Sequence, residues 1–299
     1  MKNKPVKIRR QGRDLVFDVI LYSICAIMLV LVLYPLWFIV IASFSDPSAV
    51  AGGHVWIVPV GFTLDGYDEL FRQREVWVGY RNTIVYTLLG TIFGLMVNIP
   101  AAYALSRKDL WGRKQIMGLY VFTMFFSGGM IPIFLTVQEL GFYNNFWVMI
   151  IPFSVSAYNI IVARTFFETS LPPDLWDAAQ IDGCGNLGFF FTMALPLSKA
   201  VLSVIALWTA VGQWNGYFNA LLYLRDPELH PLQLIMRNIL ITNQIFAAMG
   251  TGEAAMIAMR RANLVRYSMI IIATVPIMCV YPFIQKHFDQ GVMIGAVKG

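Results

Sequence analysis

Polar and apolar residues fall in long blocks along this chain. Six apolar stretches stand out, at residues 15–44, 83–105, 115–137, 143–163, 200–224 and 267–285. The last five hold no charged residue, and the first holds only Asp18. A bilayer core about 30 Å thick is crossed by roughly 20 helical residues, because backbone N–H and C=O groups cannot be left unpaired in lipid. Each stretch therefore predicts a spanning helix. The predicted fold class is all-α, a polytopic membrane protein with six transmembrane helices. Pro35, Pro100, Pro132, Pro152 and Pro276 lie within these stretches. In water they would break a helix, but packed membrane helices tolerate the kink.

Composition agrees with the pattern. Hydrophobic residues make up 58% of the 299 positions and charged residues only 13%, about half the charged share of a soluble domain. A large soluble core of buried helices does not account for such uncharged lengths. Orientation is read from Lys and Arg, which concentrate on the cytoplasmic side. The head "MKNKPVKIRRQGR" carries six basic residues and no acid. It resembles a signal-peptide n-region, but the apolar run behind it is too long and lacks a small-x-small cleavage site, so a retained span is expected. With six spans both ends lie inside. The basic loop 106–114, "SRKDLWGRK", then falls inside and the acidic loop 45–80 outside. Loop 225–266 is placed outside although its arginines outnumber its acids, since long loops translocate largely regardless of charge. The expected organisation is a cytoplasmic tail at 1–14, a transmembrane domain at 15–285 and a cytoplasmic tail at 286–299.

The net charge of +5 is mostly this orientation signal. The basic residues are split among loops instead of forming one stripe, so no nucleic-acid partner is expected. Cys25 and Cys279 lie in predicted spans and Cys184 in a loop, which disfavours a disulfide framework. His54, His230 and His287 show no ligand spacing, and no metal site is proposed. Gly183-x-Gly185-x-x-Gly188 has the spacing of a dinucleotide fingerprint, but that motif follows a strand and is answered by an acid about 20 residues on. Here the preceding residues read as a helix, and the next acid after Asp182 is Asp226, beyond a predicted span. The chain also lacks a Walker A motif and a nucleophile elbow, so no cofactor is expected in it.

The loop 168–199 is too long and too patterned for a simple turn. "LPPDLWDAAQIDG" reads as a short helix with Asp174 capping the first turn and Asp177 favourably placed near the positive end of its dipole. Leu175, Ala178 and Ala179 recur at i, i+3 and i+4 and predict one apolar face, widened by Trp176 and Ile181. Gly183 suits the left-handed residue that commonly ends a helix. A second element, 186–194, is expected to stop at Leu195-Pro196. The polar face carries Asp and Gln and no basic residue, which favours docking on a protein over lying on anionic lipid headgroups.

"DAAQIDGCGNLGFFFTMALPLSKA" resembles the EAA loop of ABC-importer permeases, E-A-A-x-x-D-G-A, a spacer, then L-P-L-x-x-P. Ala178, Ala179, Asp182, Gly183, Leu195, Pro196 and Leu197 match; Asp177 stands for Glu, Cys184 for Ala and Ala200 for the last Pro. "FFSGGMIP", "QWNGYFNALLY" and the closing "GVMIGAVKG" resemble the carbohydrate-uptake branch, in particular the maltose-type second permease and permeases for polysaccharide-derived oligosaccharides. The resemblance covers essentially the whole chain. It implies a type I importer fold in which Asp177, Ala178, Ala179, Asp182, Gly183, Leu195 and Pro196 belong to a coupling helix and its flank, seated in a groove of an ATPase subunit. It also implies a second homologous permease, two ATP-binding cassette subunits that hold ATP and Mg, an extracytoplasmic solute-binding protein, and an oligosaccharide carried by alternating access. The chain itself is then a non-catalytic subunit of a bacterial cytoplasmic membrane.

Gln213, Trp214, Asn215 and Asn219 lie near the outer end of the fifth stretch, and two readings stand. Polar side chains in a span face a cavity, where Trp stacks on a pyranose and Asn pairs with hydroxyls; or they make helix–helix hydrogen bonds. The arginines of loop 225–266 fit an acidic oligosaccharide, the binding protein or lipid. The tail 286–299 either reaches the ATPase or is a plain terminus. The alternatives are a secondary transporter or an ABC permease for a non-sugar substrate; a membrane-embedded enzyme is the third class, for which the sequence offers no catalytic constellation. A secondary transporter would show internal repeats and ionisable residues within spans, for which Asp18 alone is poor support.

Overall fold

The structure, a computed structural model, describes residues 12–249 and 262–279. Most of the basic head, residues 250–261 of the long external loop and the C-terminal tail lie outside the described residues. So do residues 280–285 of the sixth stretch. The described residues form helices and connecting turns, with no strand among them. The chain order is α1 (Gly12–Ser43), α2 (Pro47–Ala51), α3 (Asp65–Phe71), α4 (Arg74–Ser106), α5 (Arg113–Phe125), α6 (Met130–Glu139), α7 (Ala157–Ser170) and α8 (Pro173–Ile181). Then come α9 (Asn186–Phe189), a π-wound turn (Phe190–Ala194), α10 (Leu195–Leu197), α11 (Lys199–Trp214), α12 (Phe218–Tyr223), α13 (Leu232–Met249) and α14 (Ala262–Cys279). Contacts divide the chain into two units, Met1–Glu69 with Asn243–Ile271, and Leu70–Thr242 with Ile272–Gly299.

Three helices are long and apolar enough to cross a bilayer, Leu15–Ser43, Arg74–Ser106 and Ala262–Cys279. Two bent pairs qualify only if each is one broken span: α5 with α6, bent by 117°, and Asn186–Leu197 with α11, bent by 80°. In the first unit, α1 is apolar all round, and most side chains from Leu15 to Trp37 are exposed. That is the surface of a helix whose solvent is not water. The turn after it is held by Ser45, whose hydroxyl accepts from the Val60 N–H at 3.2 Å, and by the Tyr67 hydroxyl, which donates to Ser43 Oγ at 2.7 Å. Burial raises the Tyr67 pKa, only partly opposed by that hydrogen bond.

The second unit is organised around α4, whose 33 residues reach about 50 Å. One apolar core sits at its C-terminal half, where Ile99, Ala102, Tyr103 and Leu105 meet Ile160, Ala163 and Phe167 of α7 and Val201 and Ile205 of α11. The other sits nearer its N-terminal half, where Tyr86 joins Val137, Val148, Tyr223 and Leu234. Close approach of α11 depends on Gly90, where a Cβ would lie 2.7 Å from Gln213 Nε2.

The structure corrects three of the predicted stretches in detail. Residues 115–137 are not one straight helix: α5 ends at Phe125, and α6 restarts after Gly129 at φ 87°. Residues 143–163 are not a continuous helix at all. A short 3₁₀ turn (Phe146–Met149) is followed by irregular backbone until α7 begins at Ala157. Apolar composition alone does not reveal this break, because Pro152 removes one donor while a buried partner far away in sequence supplies replacements. That partner is Asn98 on α4. Its Nδ2 donates to the Ser154 carbonyl at 2.7 Å, and its Oδ1 accepts from the Ser156 N–H at 2.8 Å. The fifth stretch is also interrupted, at residues 215–217, and the predicted external loop contains α13.

Asn98→Leu leaves the Ser154 carbonyl and the Ser156 N–H without that partner. Each orphaned group costs about 1–3 kcal/mol, so the detergent-solubilised variant should unfold at a clearly lower temperature than wild type. An unchanged midpoint would show that the break is held by other contacts.

Candidate functional site

The loop that carries the predicted coupling residues starts from a proline pair. Pro172 takes the cap position and Pro173 the first helical position of α8, where a missing N–H costs nothing. Asp174 therefore does not cap the helix, as the sequence predicts; it sits one position inside, in the first turn, where its charge still faces the positive end of the dipole. The other end matches expectation. Gly183 has φ 77°; its N–H donates to the Gln180 carbonyl at 3.0 Å, and the Cys184 N–H donates to the Ala179 carbonyl at 2.9 Å. These two bonds make a Schellman motif, which satisfies carbonyls that a helix end leaves open. The helical run that follows continues through Leu195–Leu197 and ends at Ser198, so Pro196 does not stop it. Gly185 and Gly188 flank a helix start, with no strand before them.

Burial splits the single apolar face that the sequence predicts. Ala179 is only 1% exposed and lies in the core with Phe167 and Phe189, and Leu175 and Trp176 pack against the same cluster. Ala178 faces outward, and Ile181 is 88% exposed. The outward face of α8 thus carries Asp174, Asp177, Ala178 and Ile181, with Asp182 and Gly183 at its end. It is an apolar strip one small and one large residue wide, bordered by carboxylates. Leu195 is half-buried and Pro196 exposed on the helical run beyond. Ala179 instead attaches the helix to its own chain.

Behind α8 the C-terminus of α4 is closed by arginines. Arg164 Nε donates to the Leu105 carbonyl at 3.1 Å and Arg113 Nη1 to the Ser106 carbonyl at 3.3 Å. Glu168 balances both, 2.7 Å from Arg164 and 3.0 Å from Arg113. Cations on open carbonyls at a helix C-terminus are favourable. Arg107 places its guanidinium 3.7 Å from the centre of the Trp176 ring. Its Nε donates to Asp109 Oδ1 at 3.1 Å. Burial acts to raise the Asp109 pKa, but the Arg107 hydrogen bond, a backbone N–H and the guanidinium charge together hold it below the usual carboxylate value. A cleft of about 690 Å³ opens beside this stack, lined among others by Lys108, Asp177 and Gln180.

The second predicted set separates. Trp214 is buried, and its Nε1 donates to the Ala273 carbonyl of α14 at 2.9 Å, a helix–helix bond. Gln213 packs on Gly90 of α4. Asn215 is exposed and donates back to the Val211 carbonyl at 3.0 Å, and Asn219 is half-buried. For Trp214 the helix–helix reading therefore holds; Asn215 and Asn219 flank the break between α11 and α12. Sequence reasoning missed the opposite end of α4. There Asn82 Nδ2 donates to the carbonyls of Glu228 and His230 at 2.7 and 3.0 Å, and the Tyr86 hydroxyl donates to that of Leu229 at 2.9 Å. Thr83 Oγ1 accepts from the Leu232 N–H at 2.8 Å. Asn144 accepts from the N–H groups of both Arg225 and Asp226 at 2.9 Å. No local pattern announces these pairs, which lie 81–149 residues apart. Among the described residues no group of His, Cys, Asp and Glu is arranged to hold a metal.

Comparison with known proteins gives a consistent picture. Residues 76–294 match the family described as "Binding-protein-dependent transport system inner membrane component". The chain is 36% identical over 291 residues to the polygalacturonan/rhamnogalacturonan transport system permease protein YtcP of Bacillus subtilis, covering 96% of this chain and 100% of that one. It is 37% identical over 283 residues to the protein LplC of the same organism, covering 93% and 95%. A crystal structure of a bacterial ABC transporter involved in the import of the acidic polysaccharide alginate contains a chain that superposes with a TM-score of 0.83 at 31% identity, covering 94% of this chain and 100% of that one.

The Schellman end of α8 generates a local test. Ala at position 183 meets no atom within 4 Å, so only the left-handed backbone strain, about 1 kcal/mol, opposes it. Amide exchange at residues 183 and 184 should quicken about fivefold in Gly183→Ala, and less in Gly183→Asn, which tolerates that conformation. Equal exchange in all three proteins would remove the strain argument.

Proposed function

The chain belongs to the family of binding-protein-dependent transport system inner membrane components, and from that premise we propose that it is the transmembrane permease subunit of an ATP-driven importer for an acidic oligosaccharide. The observation that carries the reading is α8 itself. It is a short helix opened by a proline pair and closed by a Schellman motif, anchored inward by Ala179 and presenting Ala178 and Ile181 between carboxylates. Such a face suits a groove with an apolar floor and basic rims. Its proposed occupant is an ATP-binding cassette subunit, and Asp177, Ala178, Asp182 and Gly183 form the contact, with Leu195 and Pro196 on the flank. Ala179 serves by fixing the helix from behind.

In the proposed assembly a second homologous permease pairs with this one, and two ATPase subunits bind beneath. An extracytoplasmic binding protein delivers the sugar. Both termini and residues 168–199 lie on the cytoplasmic side of a bacterial cell membrane, and residues 225–266 lie outside. ATP and Mg belong to the ATPase pair, and this subunit is non-catalytic. ATP draws the ATPases together, α8 moves with them, and the cavity opens outward; hydrolysis resets it. Each ligand shifts that equilibrium only by its differential affinity for the two states. The acidic substrate is supported by the relative that transports polygalacturonan and rhamnogalacturonan, by the structurally similar alginate importer, and by Arg225 and Arg237, which lie over Tyr143 and Tyr217.

Two outcomes follow. Gly183→Asp, or deletion of residues 178–183, should abolish uptake and ATPase copurification while membrane insertion persists; a variant that still copurifies and transports would sink the coupling role. In uptake assays, cells should accumulate uronic-acid oligosaccharides and take up neutral ones of equal length far more slowly. A preference for the neutral sugar would overturn the acidic substrate and leave the importer assignment standing.

A further inference from the structure

The helix proposed to meet the ATPase touches α4 at one place above all. Trp176 is held between the edge of Phe189, with ring centres 5.1 Å apart, and the guanidinium of Arg107 at 3.7 Å. Arg107 is the residue that follows α4, and its side chain is only 18% exposed. A cation over an indole gains strength as water is removed. The Asp109 carboxylate fixes the guanidinium from the side, and Phe167 and Phe189 brace Tyr103 one turn earlier on α4. Beside the stack lies the 690 Å³ cleft, bordered by Asp177 and Gln180 of α8 and by Ser106 and Lys108. On this side the Arg107–Trp176 stack joins α8 to the end of α4, while Ala179, Leu175 and Trp176 pack on the apolar core that Tyr103 shares.

The far half of α4 carries a second attachment. Asn82, Thr83 and Tyr86 bond the backbone of residues 228–232, and Arg74 pairs with Glu228 at 3.1 Å. Between the two attachments α4 is helical throughout, with Pro100 inside it, and from Thr83 to Ser106 it covers roughly 35 Å, more than the thickness of a bilayer core. α11 and α7 pack along it, and close-packed contacts of that kind resist displacement. A displacement at one end is then carried to the other instead of being absorbed between them.

We infer that Arg107 and Trp176 are positioning residues that form the joint between the coupling helix and α4, and that α4 transmits movement of that helix to residues 225–232 on the opposite side of the membrane. The inference rests on the reading of α8 as the ATPase contact. It assigns Arg107 and Trp176 a role separate from the outward-facing residues, because neither belongs to the exposed face of Asp174, Asp177, Ala178 and Ile181. It also gives residues 225–232 a defined link to nucleotide state.

The test uses the full importer, with its partner permease and ATPases, in lipid nanodiscs. ATP and Mg are the only additions, so no knowledge of the sugar is needed. Amide exchange of residues 225–232 is measured with and without nucleotide, beside ATPase copurification and the rate of ATP hydrolysis. In wild type, nucleotide should change exchange across 225–232. In Trp176→Ala and Arg107→Ala that change should shrink on the order of tenfold, while copurification and hydrolysis persist. The double variant should be no worse than either single one, since both remove the same contact. Arg107→Lys and Trp176→Phe, which keep a cation over a ring, should restore much of the response. Arg107→Gln, which removes only the charge, decides the matter if Trp176→Ala fails to assemble. A wild-type response in Arg107→Gln, additive losses in the double variant, or no nucleotide response at 225–232 in wild type would each overturn the joint. Failure of wild type to retain any ATPase would remove the coupling reading itself, and the joint with it.

Discussion

The constraint behind this structure is that lipid offers the backbone no hydrogen bonds. Wherever a helix breaks within the apolar body of the chain, its freed N–H and C=O groups must find protein partners. Asn98 meets that requirement for the irregular residues 154–156, and it does so from α4, more than 50 residues earlier in the chain. Outside the apolar stretches, Asn82, Thr83 and Tyr86 bond the backbone of residues 228–232 in the same way. These polar side chains lie on the helix that also carries both apolar cores of the second unit. Among the described residues the longest helix is therefore also the one that supplies partners to irregular backbone elsewhere.

The same economy operates at the C-terminus of α4. Arg164 and Arg113 satisfy carbonyls there, and a single Glu168 balances their charge. The next residue, Arg107, extends the closure to the neighbouring helix through Trp176. What in a soluble protein would be a surface-exposed helix end with water on its last carbonyls is here a built corner. The helix mounted on that corner is short, and its own propensity would not hold it in water. Its proline start, its Schellman end and its inward alanine compensate, and leave the opposite face available for a partner.

Much of this was legible before any coordinates. Apolar stretches without charges announce membrane helices because the span length is set by the bilayer. Gly183 announces a helix end because the left-handed backbone there is costly for other residues, and the residues before the glycine triplet read, and fold, as a helix. Periodicity puts Leu175, Ala178 and Ala179 on one face, whereas burial takes Ala179 inward and leaves Ala178 outward. For Trp214 the sequence leaves a cavity and a helix–helix bond both open, and the bond to the Ala273 carbonyl is visible only in the fold.

By itself, then, the amino-acid sequence determined the all-helical membrane class, the position of the capped loop helix and the resemblance that led to its family, since each depends on composition or on residues a few places apart. Only the tertiary structure decided which apolar stretches break, which of Ala178 and Ala179 faces outward, and which residues tie the two ends of α4 to the segments beside them. Those outcomes depend on hydrogen bonds and ring contacts between residues tens to more than a hundred positions apart. Side-chain identity alone does not say whether such groups will meet.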